Sequence, residues 1–174
     1  TITTLDGQKR ELAPDMLIIA DAEVPVAVAG VMGGGDSEVG EMTTRIFLES
    51  AFFKPSSVRK TSRALALTTE ASQRFQRGAD PEMAVFAINR AAMLMQQVAG
   101  ARVANGILDE YPNPLPEKTI TLRYSGSDLL LGTAVKPEAQ RTFIESLGFT
   151  IIKSDAASFT VRVPSWRHDA TQEA

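Results

Sequence analysis

Residues 24–35 read VPVAVAGVMGGG, so a valine- and alanine-rich run leads directly into three consecutive glycines. A short apolar run bounded by turn residues is typical of a buried strand. Glycines after a strand allow backbone N–H groups to approach a ligand with no Cβ in the way. The spacing matches neither the Walker loop nor the dinucleotide-binding fingerprint. This stretch therefore predicts a strand that ends in either a tight structural turn or a ligand-contacting loop.

Short strands are predicted on both sides of this stretch. Asp6-Gly7 is a hairpin signal between two short runs, Ile2–Leu5 and Gln8–Leu12. Met16–Ala20 is a further apolar run, and the side chains of Arg45–Glu49 alternate as they do in a strand. We therefore expect a small sheet in the first part of the chain.

Three helices are predicted after these strands, over Pro55–Leu65, Glu70–Arg77 and Asp80–Val98. Asp80 and Pro81 are residues typical of a helix start, and Gly100 is a natural helix end. The last helix is rich in alanine, which allows close approach to strands. We therefore expect it to pack on the first sheet.

A proline-rich stretch, Tyr111–Lys118, separates this region from a second one, because proline fixes φ and removes a backbone donor. Beyond it we predict a strand, a helical turn, a helix and two further strands, which together resemble a winged-helix-like module. They cover Thr119–Tyr124, Ser127–Leu131, Lys136–Leu147, Phe149–Lys153 and Phe159–Val163. The fold class is α+β: a partial sheet with packed helices, followed by this small module.

The composition excludes several classes of protein. The 174 residues include no cysteine and one histidine, His168, which excludes a disulfide framework, a zinc site with Cys ligands and a two-His catalytic scheme. A net charge of −3 argues against nucleic-acid binding by bulk charge. No apolar run approaches the ~20 residues of a membrane span. The first residues do not form a signal peptide, and both ends suggest a fragment of a longer, cytoplasmic protein.

Two features of the first region could carry chemistry. Glu49 lies within a strongly apolar stretch, so its carboxylate needs a partner. That partner could be a ligand hydroxyl, or equally Arg63 or Arg74. A group of basic residues is the only candidate phosphate-facing surface, although it could also be a solvated helix face. It comprises Arg59, Lys60, Arg63, Arg74 and Arg77.

The remaining candidates have simpler structural interpretations. The segment Thr68–Ser72 contains a candidate helix N-cap, where a threonine hydroxyl more often bonds the backbone than a substrate. Trp166, the only tryptophan, is expected to plug a core. Asp169 is most simply the N-cap of a following helix.

Four ordered segments together resemble the bacterial phenylalanine–tRNA ligase β-subunit family. They read IIADAE at 18–23, AGVMGG at 29–34, FLESAFFKP at 47–55 and TEASQRFQRGADP at 69–81. They look like the later part of the family's B3/B4 editing domain, over residues 1–110. PSWRHD at 164–169 resembles the signature of the B5 domain that follows, over residues 119–174 with 111–118 as a linker.

The resemblance implies a role in proofreading. The family's editing domain hydrolyses tyrosine wrongly esterified to the phenylalanine tRNA. Glu49 matches the glutamate that recognises the tyrosine phenol, and Gly33, Thr69 and Ala71 match other positions of the editing pocket. The sequence departs from the family pattern at Thr68, where a histidine is usual, at Glu70, which replaces aspartate, and at residues 35–38. No catalytic residue can be assigned, and the fragment alone is expected to be inactive.

The resemblance also implies partners and cofactors for the whole enzyme. These are tRNA(Phe) and the α subunit, in an assembly of two α and two β subunits, with ATP and Mg²⁺ but neither a membrane nor DNA. Asp169 matches the first of several magnesium ligands, the others lying beyond residue 174. No cofactor is expected on this stretch by itself. Arg59, Lys60 and Arg63 are the candidate RNA contacts.

Two alternatives remain open beside an editing fragment. One is a noncatalytic RNA-binding or scaffold module that uses the basic helix and the winged-helix-like end. The other is a stand-alone hydrolase of aminoacyl-tRNA, which would not need the B5-like extension.

Overall fold

Five short strands form the sheets of the first part of the chain in the computed structural model, which describes residues 1–173. Ile2–Thr3 (β1) and Lys9–Arg10 (β2) form the hairpin expected around Asp6-Gly7. Ile18–Ala20 (β3), Pro25–Val28 (β4) and Met32–Gly33 (β5) form an antiparallel sheet in the order β3-β4-β5. A bridge between Thr4 and Gly34 joins the hairpin to the three consecutive glycines at 33–35, called here the glycine stretch.

Three helices follow: Pro55–Ala64 (α1), Glu70–Phe75 (α2) and Met83–Ala99 (α3). Proline in the first turn begins α1, as predicted. Val58, Thr61 and Ser62 are the buried residues of α1. The basic residues of α1 lie on the opposite side of the helix, which therefore has one core face and one charged face.

The chain divides into two compact units, and the first, Thr1–Val103, has its core between the strands and α1. Its buried members are Ile2, Val28, Val31, Val58 and Leu67. Phe53 and Phe75 pack against it with their rings edge to face, 5.0 Å apart between centroids. Burial of such side chains contributes about 1.5–3 kcal/mol each relative to exposure. The glycine stretch is thus attached to a packed core on its β4 side.

Arg10 connects the hairpin to the end of α1. Its guanidinium donates to the Leu65 carbonyl oxygen at 3.1 Å, to the Asp6 carboxylate at 2.6 Å and to the Thr4 hydroxyl at 3.0 Å. A cation at a helix C-terminus also interacts favourably with the helix dipole. The hairpin is therefore held against α1 by charge-assisted hydrogen bonds as well as by packing.

The strand predicted at Arg45–Glu49 is wrong. Within residues 1–173, positions 43–54 carry neither a helix nor a strand. Phe47 is 87% exposed, and the alternating pattern of this segment has no neighbouring strand to pair with. A strand needs a hydrogen-bonding partner as well as a suitable pattern of side chains.

The long helix α3 ends at Gly100 in the left-handed conformation, as predicted, but it begins at Met83 rather than Asp80. The Asp80 carboxylate instead accepts a hydrogen bond from the Glu82 N–H. Packing of α3 on the first sheet was also predicted, and this was wrong. No residue of α3 is buried, and Phe86 is 62% exposed, because no described strand offers it a complementary face.

The second unit has the expected winged-helix-like order of elements. Its elements are Thr119–Arg123 (β6), Tyr124–Leu131 (α4), Pro137–Ser146 (α5), Thr150–Ser154 (β7) and Ser158–Arg162 (β8). The strands form one antiparallel sheet in the order β6-β8-β7. Both units therefore combine small antiparallel sheets with helices, which confirms the α+β fold class.

Phe159 and Val161 lie at the centre of the core of the second unit, where they are 1% and 0% exposed. Tyr124 stacks on Phe159, with ring centroids 5.3 Å apart, and Phe149 joins the same cluster. The Trp166 prediction was wrong, because this side chain is 55% exposed, although it lies beside Gly148.

No helix follows Asp169 within the described residues. The chain divides by internal contacts into Thr1–Val103 and Ala104–Ala174, and positions 111–118 carry neither helix nor strand. The assignment of 111–118 as the linker stays a prediction. Among the described residues, no helix has both the length and the apolar character needed to cross a membrane.

Two phenylalanines of the second unit provide a matched test of its core. We expect Phe159→Ala to lower the free energy of unfolding by about 3–5 kcal/mol, because it opens a cavity at a fully buried position. Phe143→Ala, at a position that is 62% exposed, should change it by less than about 0.5 kcal/mol. Urea unfolding followed by Trp166 fluorescence measures both, and equal losses would contradict this description of the core.

Candidate functional site

The glycine stretch lies where the sheet, the hairpin and α2 meet. Gly33 pairs with Ala27 across β4 and β5, and its carbonyl oxygen accepts a hydrogen bond from the Leu5 N–H at 3.0 Å. A Cβ added at Gly33 would lie 3.2 Å from the Leu5 Cδ1. The space beside Gly33 is therefore bordered by the end of a leucine side chain.

Gly34 is required by the fold itself. A Cβ at this position would lie 2.7 Å from the Val26 carbonyl oxygen, and the Gly34 N–H donates to that oxygen at 2.8 Å. Backbone in such close contact cannot give way as a side chain can. The sequence left open a structural turn or a ligand-contacting loop, and Gly34 supports the first. Gly33, bordered only by a side chain, leaves the second open.

Thr69 joins the start of α2 to the turn between β4 and β5. Its hydroxyl donates to the Val31 carbonyl oxygen at 2.6 Å and accepts from the Ser72 N–H at 3.0 Å. Ser72 in turn accepts from the Thr69 N–H at 2.8 Å, which completes a capping box. The predicted N-cap is confirmed. The single proton of this hydroxyl is already used by the protein.

Ala71 lies in the first turn of α2, exposed to solvent. Because Thr69 is bonded to Val31, the first turn of α2 is fixed relative to the chain that leads to Gly33. The bond joins Thr69 to a residue two positions before Gly33, and the grouping of Gly33, Thr69 and Ala71 in one pocket stays a prediction.

Glu49 lies in the extended segment before α1, and its carboxylate has no hydrogen bond or ion pair within residues 1–173. The predicted alternative, an ion pair with Arg63 or Arg74, does not form among the described residues. Arg74 pairs instead with Glu70. The surrounding protein removes part of the hydration of Glu49, and this desolvation raises the pKa of its carboxyl above the ordinary value. The residue is nevertheless exposed, so its unpaired carboxylate is accessible to a hydrogen-bond donor from outside the described residues.

The basic face of α1 forms an open depression of about 300 Å³. It is lined by Ser56, Arg59, Lys60 and Arg63. Arg59 donates to the Gln76 carbonyl oxygen at 2.9 Å, a neutral partner that leaves its charge uncompensated. Lys60 forms an exposed ion pair with Asp15, whereas Arg63 has no acceptor among the described residues. The depression therefore carries more positive than negative charge.

The described residues do not fit a magnesium site. Asp169 accepts two hydrogen bonds from Arg167, at 2.9 and 2.8 Å, which lowers the pKa of its carboxyl to about 2. Glu173, the next acidic residue, accepts instead from Arg123. Residues 1–173 hold no group of three or more acidic or His side chains that could share a metal ion. Octahedral Mg²⁺ needs more than one such carboxylate, so Asp169 as a ligand stays a prediction.

Comparison with known proteins agrees with the two-unit architecture. Residues 1–100 match the B3/4 domain family, and residues 120–174 match the tRNA synthetase B5 domain family. The chain belongs to the phenylalanine–tRNA ligase β-subunit family. This confirms the resemblance inferred from the ordered segments. Members of this family are components of an aminoacyl-tRNA synthetase.

Three relatives illustrate how far the similarity extends. The chain is 49% identical over 170 residues to the phenylalanine–tRNA ligase β subunit of Protochlamydia amoebophila, covering 98% of this chain and 21% of that protein. It is 46% identical over 171 residues to the β subunit of Salinibacter ruber, with 98% and 20% covered. It is 49% identical over 172 residues to that of Moorella thermoacetica, with 99% and 21% covered. The chain thus spans about a fifth of the length of the curated relatives it matches.

Sequence reasoning missed two contributors to the site. The Val31 carbonyl oxygen is the partner of Thr69, and the Leu5 side chain borders Gly33. A main-chain acceptor leaves no mark on residue identity. The hairpin signal at Asp6-Gly7 did place Leu5 at a turn, but it could not indicate which strand the turn approaches.

Two substitutions distinguish the contribution of the Thr69 hydroxyl from that of the shape of its side chain. We expect Thr69→Val, which keeps the shape, to lower the free energy of unfolding by about 1–2 kcal/mol, because a cap and the bond to Val31 are lost. Thr69→Ser keeps both hydrogen bonds and should lose less. Amide hydrogen exchange of Ser72, read by NMR, should accelerate in Thr69→Val only. Equal acceleration in both variants would show that the methyl group rather than the hydroxyl holds α2.

Proposed function

We propose that this chain supplies part of a site that hydrolyses tyrosine wrongly attached to the phenylalanine tRNA. The observation that carries the proposal is Glu49, whose carboxylate is accessible to solvent, lies between the half-buried Leu48 and Ser50, and has no partner among the described residues. A tyrosine phenol supplies the donor that this carboxylate lacks. Phenylalanine has no such donor and would leave the carboxylate unpaired.

Discrimination at such a site depends on one hydroxyl group. A hydrogen bond to a charged group contributes about 1.5–3 kcal/mol. This corresponds to roughly 10- to 150-fold in rate or affinity. A site that requires a hydroxyl can remove errors that a pocket built to accept phenylalanine admits.

The proposal also gives roles to the other predicted pocket residues. Thr69 fixes α2 to the Val31 end of the glycine stretch, and Ala71 and Gly33 are small residues near this junction. In this proposal they border the aminoacyl group, and the Glu49 carboxylate accepts a hydrogen bond from the phenol of its side chain. We assign no catalytic base to this chain, whose only histidine, His168, lies in the second unit.

The whole enzyme supplies what this chain does not. We infer that the full β subunit works with an α subunit and tRNA(Phe) in the cytoplasm, in an assembly of two α and two β subunits. ATP and Mg²⁺ would serve the aminoacylation reaction outside this chain. A stand-alone hydrolase is disfavoured, because the B5 match continues to residue 174 and the relatives described above are all β subunits.

Glu49→Ala in the full-length ligase tests the proposal. We expect deacylation of Tyr-tRNA(Phe) to slow by roughly 10- to 150-fold, because the phenol loses its charged acceptor. Aminoacylation with phenylalanine should remain nearly unchanged. Glu41→Ala, an exposed glutamate in the same irregular region, is the matched control and should alter neither rate. A Glu49→Ala enzyme that edits at the parent rate would contradict the assignment of Glu49.

A noncatalytic RNA contact is the second candidate, and the depression on α1 favours it. We propose that Arg59, Lys60 and Arg63 contact phosphates of the tRNA backbone. Three cations face one carboxylate there, and Arg63 has no acceptor among the described residues. The net charge of −3 should keep this contact weak and dependent on salt.

The salt dependence of tRNA binding tests this surface. Removing one phosphate contact should reduce the slope of log K against log[salt] by about 0.7–0.9. We expect this smaller slope for Arg63→Gln in the full-length ligase. Filter binding between about 50 and 200 mM salt, which brackets physiological ionic strength, measures it. Arg90→Gln, an exposed arginine on α3, is the control. Identical slopes for both variants would indicate that α1 has only a solvated face.

A further inference from the structure

The Leu5 side chain packs where a side chain at Gly33 would point. Its N–H bonds the Gly33 carbonyl oxygen at 3.0 Å, and its Cδ1 lies 3.2 Å from the position that a Gly33 Cβ would take. The side chain is 48% exposed, so its other side faces solvent. We propose that Leu5 forms the apolar wall of the pocket at Gly33 and limits the size of the aminoacyl side chain accepted there. This inference rests on the proposed editing function.

Hydrogen bonds on both sides of Leu5 fix its backbone, so a change in this region moves its side chain rather than its main chain. The bridge between Thr4 and Gly34 fixes the hairpin on the glycine stretch. The Thr4 hydroxyl donates to the Asp6 carboxylate at 2.6 Å, and Arg10 bonds both of these groups. Leu5 lies between two anchored residues. Its terminal carbons are free on one side, as expected of a wall that can shift by a few tenths of an ångström.

Gly33 and Gly34 differ in which atoms an added Cβ would meet. A Cβ at Gly34 would meet a carbonyl oxygen of β4 at 2.7 Å, which is rigid, whereas a Cβ at Gly33 meets the flexible end of Leu5 at 3.2 Å. A methyl group at Gly33 should therefore act by displacing Leu5 into the space that a ligand would use. The effect of bulk at Gly33 is relayed through Leu5 rather than exerted directly on the substrate.

A single exposed leucine needs no functional explanation by itself, since many surfaces carry them. Leu17 is such a residue, 50% exposed in the same unit. Leu5 differs because it occupies the place of the side chain that Gly33 lacks. Leu17 therefore serves as the matched control for any substitution that adds bulk at Leu5.

The first experiment measures Tyr-tRNA(Phe) deacylation by the full-length ligase. We expect Gly33→Ala to slow it roughly tenfold, as is common for overpacking, and Leu5→Ala to restore most of that loss in the double variant. Leu5→Trp should slow deacylation comparably, and Leu17→Trp should not. Gly34→Ala should not be rescued by Leu5→Ala, because its obstacle is backbone.

A second experiment does not depend on activity. Thermal unfolding of the same variants should show that Gly33→Ala and Leu5→Ala are non-additive, whereas Gly34→Ala and Leu5→Ala add. Additive behaviour of Gly33→Ala with Leu5→Ala in both measurements would overturn the role of Leu5. If the ligase deacylates Tyr-tRNA(Phe) and responds to Glu49→Ala but not to Leu5→Trp, the Leu5 proposal alone fails. If the unaltered ligase does not deacylate Tyr-tRNA(Phe) at all, both proposals fail.

Discussion

The hydrogen bond from the Thr69 hydroxyl to the Val31 carbonyl oxygen is the constraint on which the candidate site depends. It joins the start of a helix to the β4–β5 turn, which lies far from it in the sequence, and the same hydroxyl caps α2. A buried carbonyl left without this donor would cost about 1–3 kcal/mol. The position of α2 relative to the chain before Gly33 therefore depends on this bond together with the packing of Phe75 on the core. The pocket geometry proposed for Gly33 and Ala71 depends on it.

Three carboxylates, Asp6, Asp169 and Glu49, differ in the partners that the described residues give them. The pKa of the Asp6 carboxyl is lowered by hydrogen bonds from the Thr4 hydroxyl and from Arg10, and that of Asp169 by hydrogen bonds from Arg167. Glu49 has lost hydration without gaining a partner among the described residues, so its pKa is raised. Ionising such a group costs free energy in the folded protein, and this cost is present above the raised pKa and absent at acid pH. Groups with perturbed pKa values are enriched at functional sites, and this is the physical basis of the proposal made for Glu49.

Local signals predicted much of the fold correctly. The proline that begins α1, the glycine that ends α3 and the order of elements in the second unit all follow from short-range rules of helix capping and periodicity. The prediction failed at Arg45–Glu49 and at the packing of α3, where a local pattern was used to infer a distant neighbour. An apolar or alternating pattern indicates that a surface needs a partner, but it cannot indicate whether the same 174 residues provide one.

The sequence by itself determined the family, through ordered segments that end in residues 164–169, and it singled out Glu49, Gly33, Thr69 and Ala71 by resemblance. Only the tertiary structure decided that the Thr69 proton belongs to Val31 and that Leu5 occupies the space beside Gly33. It also assigned Asp169 to Arg167. The physical reason is that hydrogen bonds and packing act over a few ångströms, whichever residues the folded backbone brings together. The choice of partner for a main-chain carbonyl or a glycine therefore depends on the fold and is not written in the residue types.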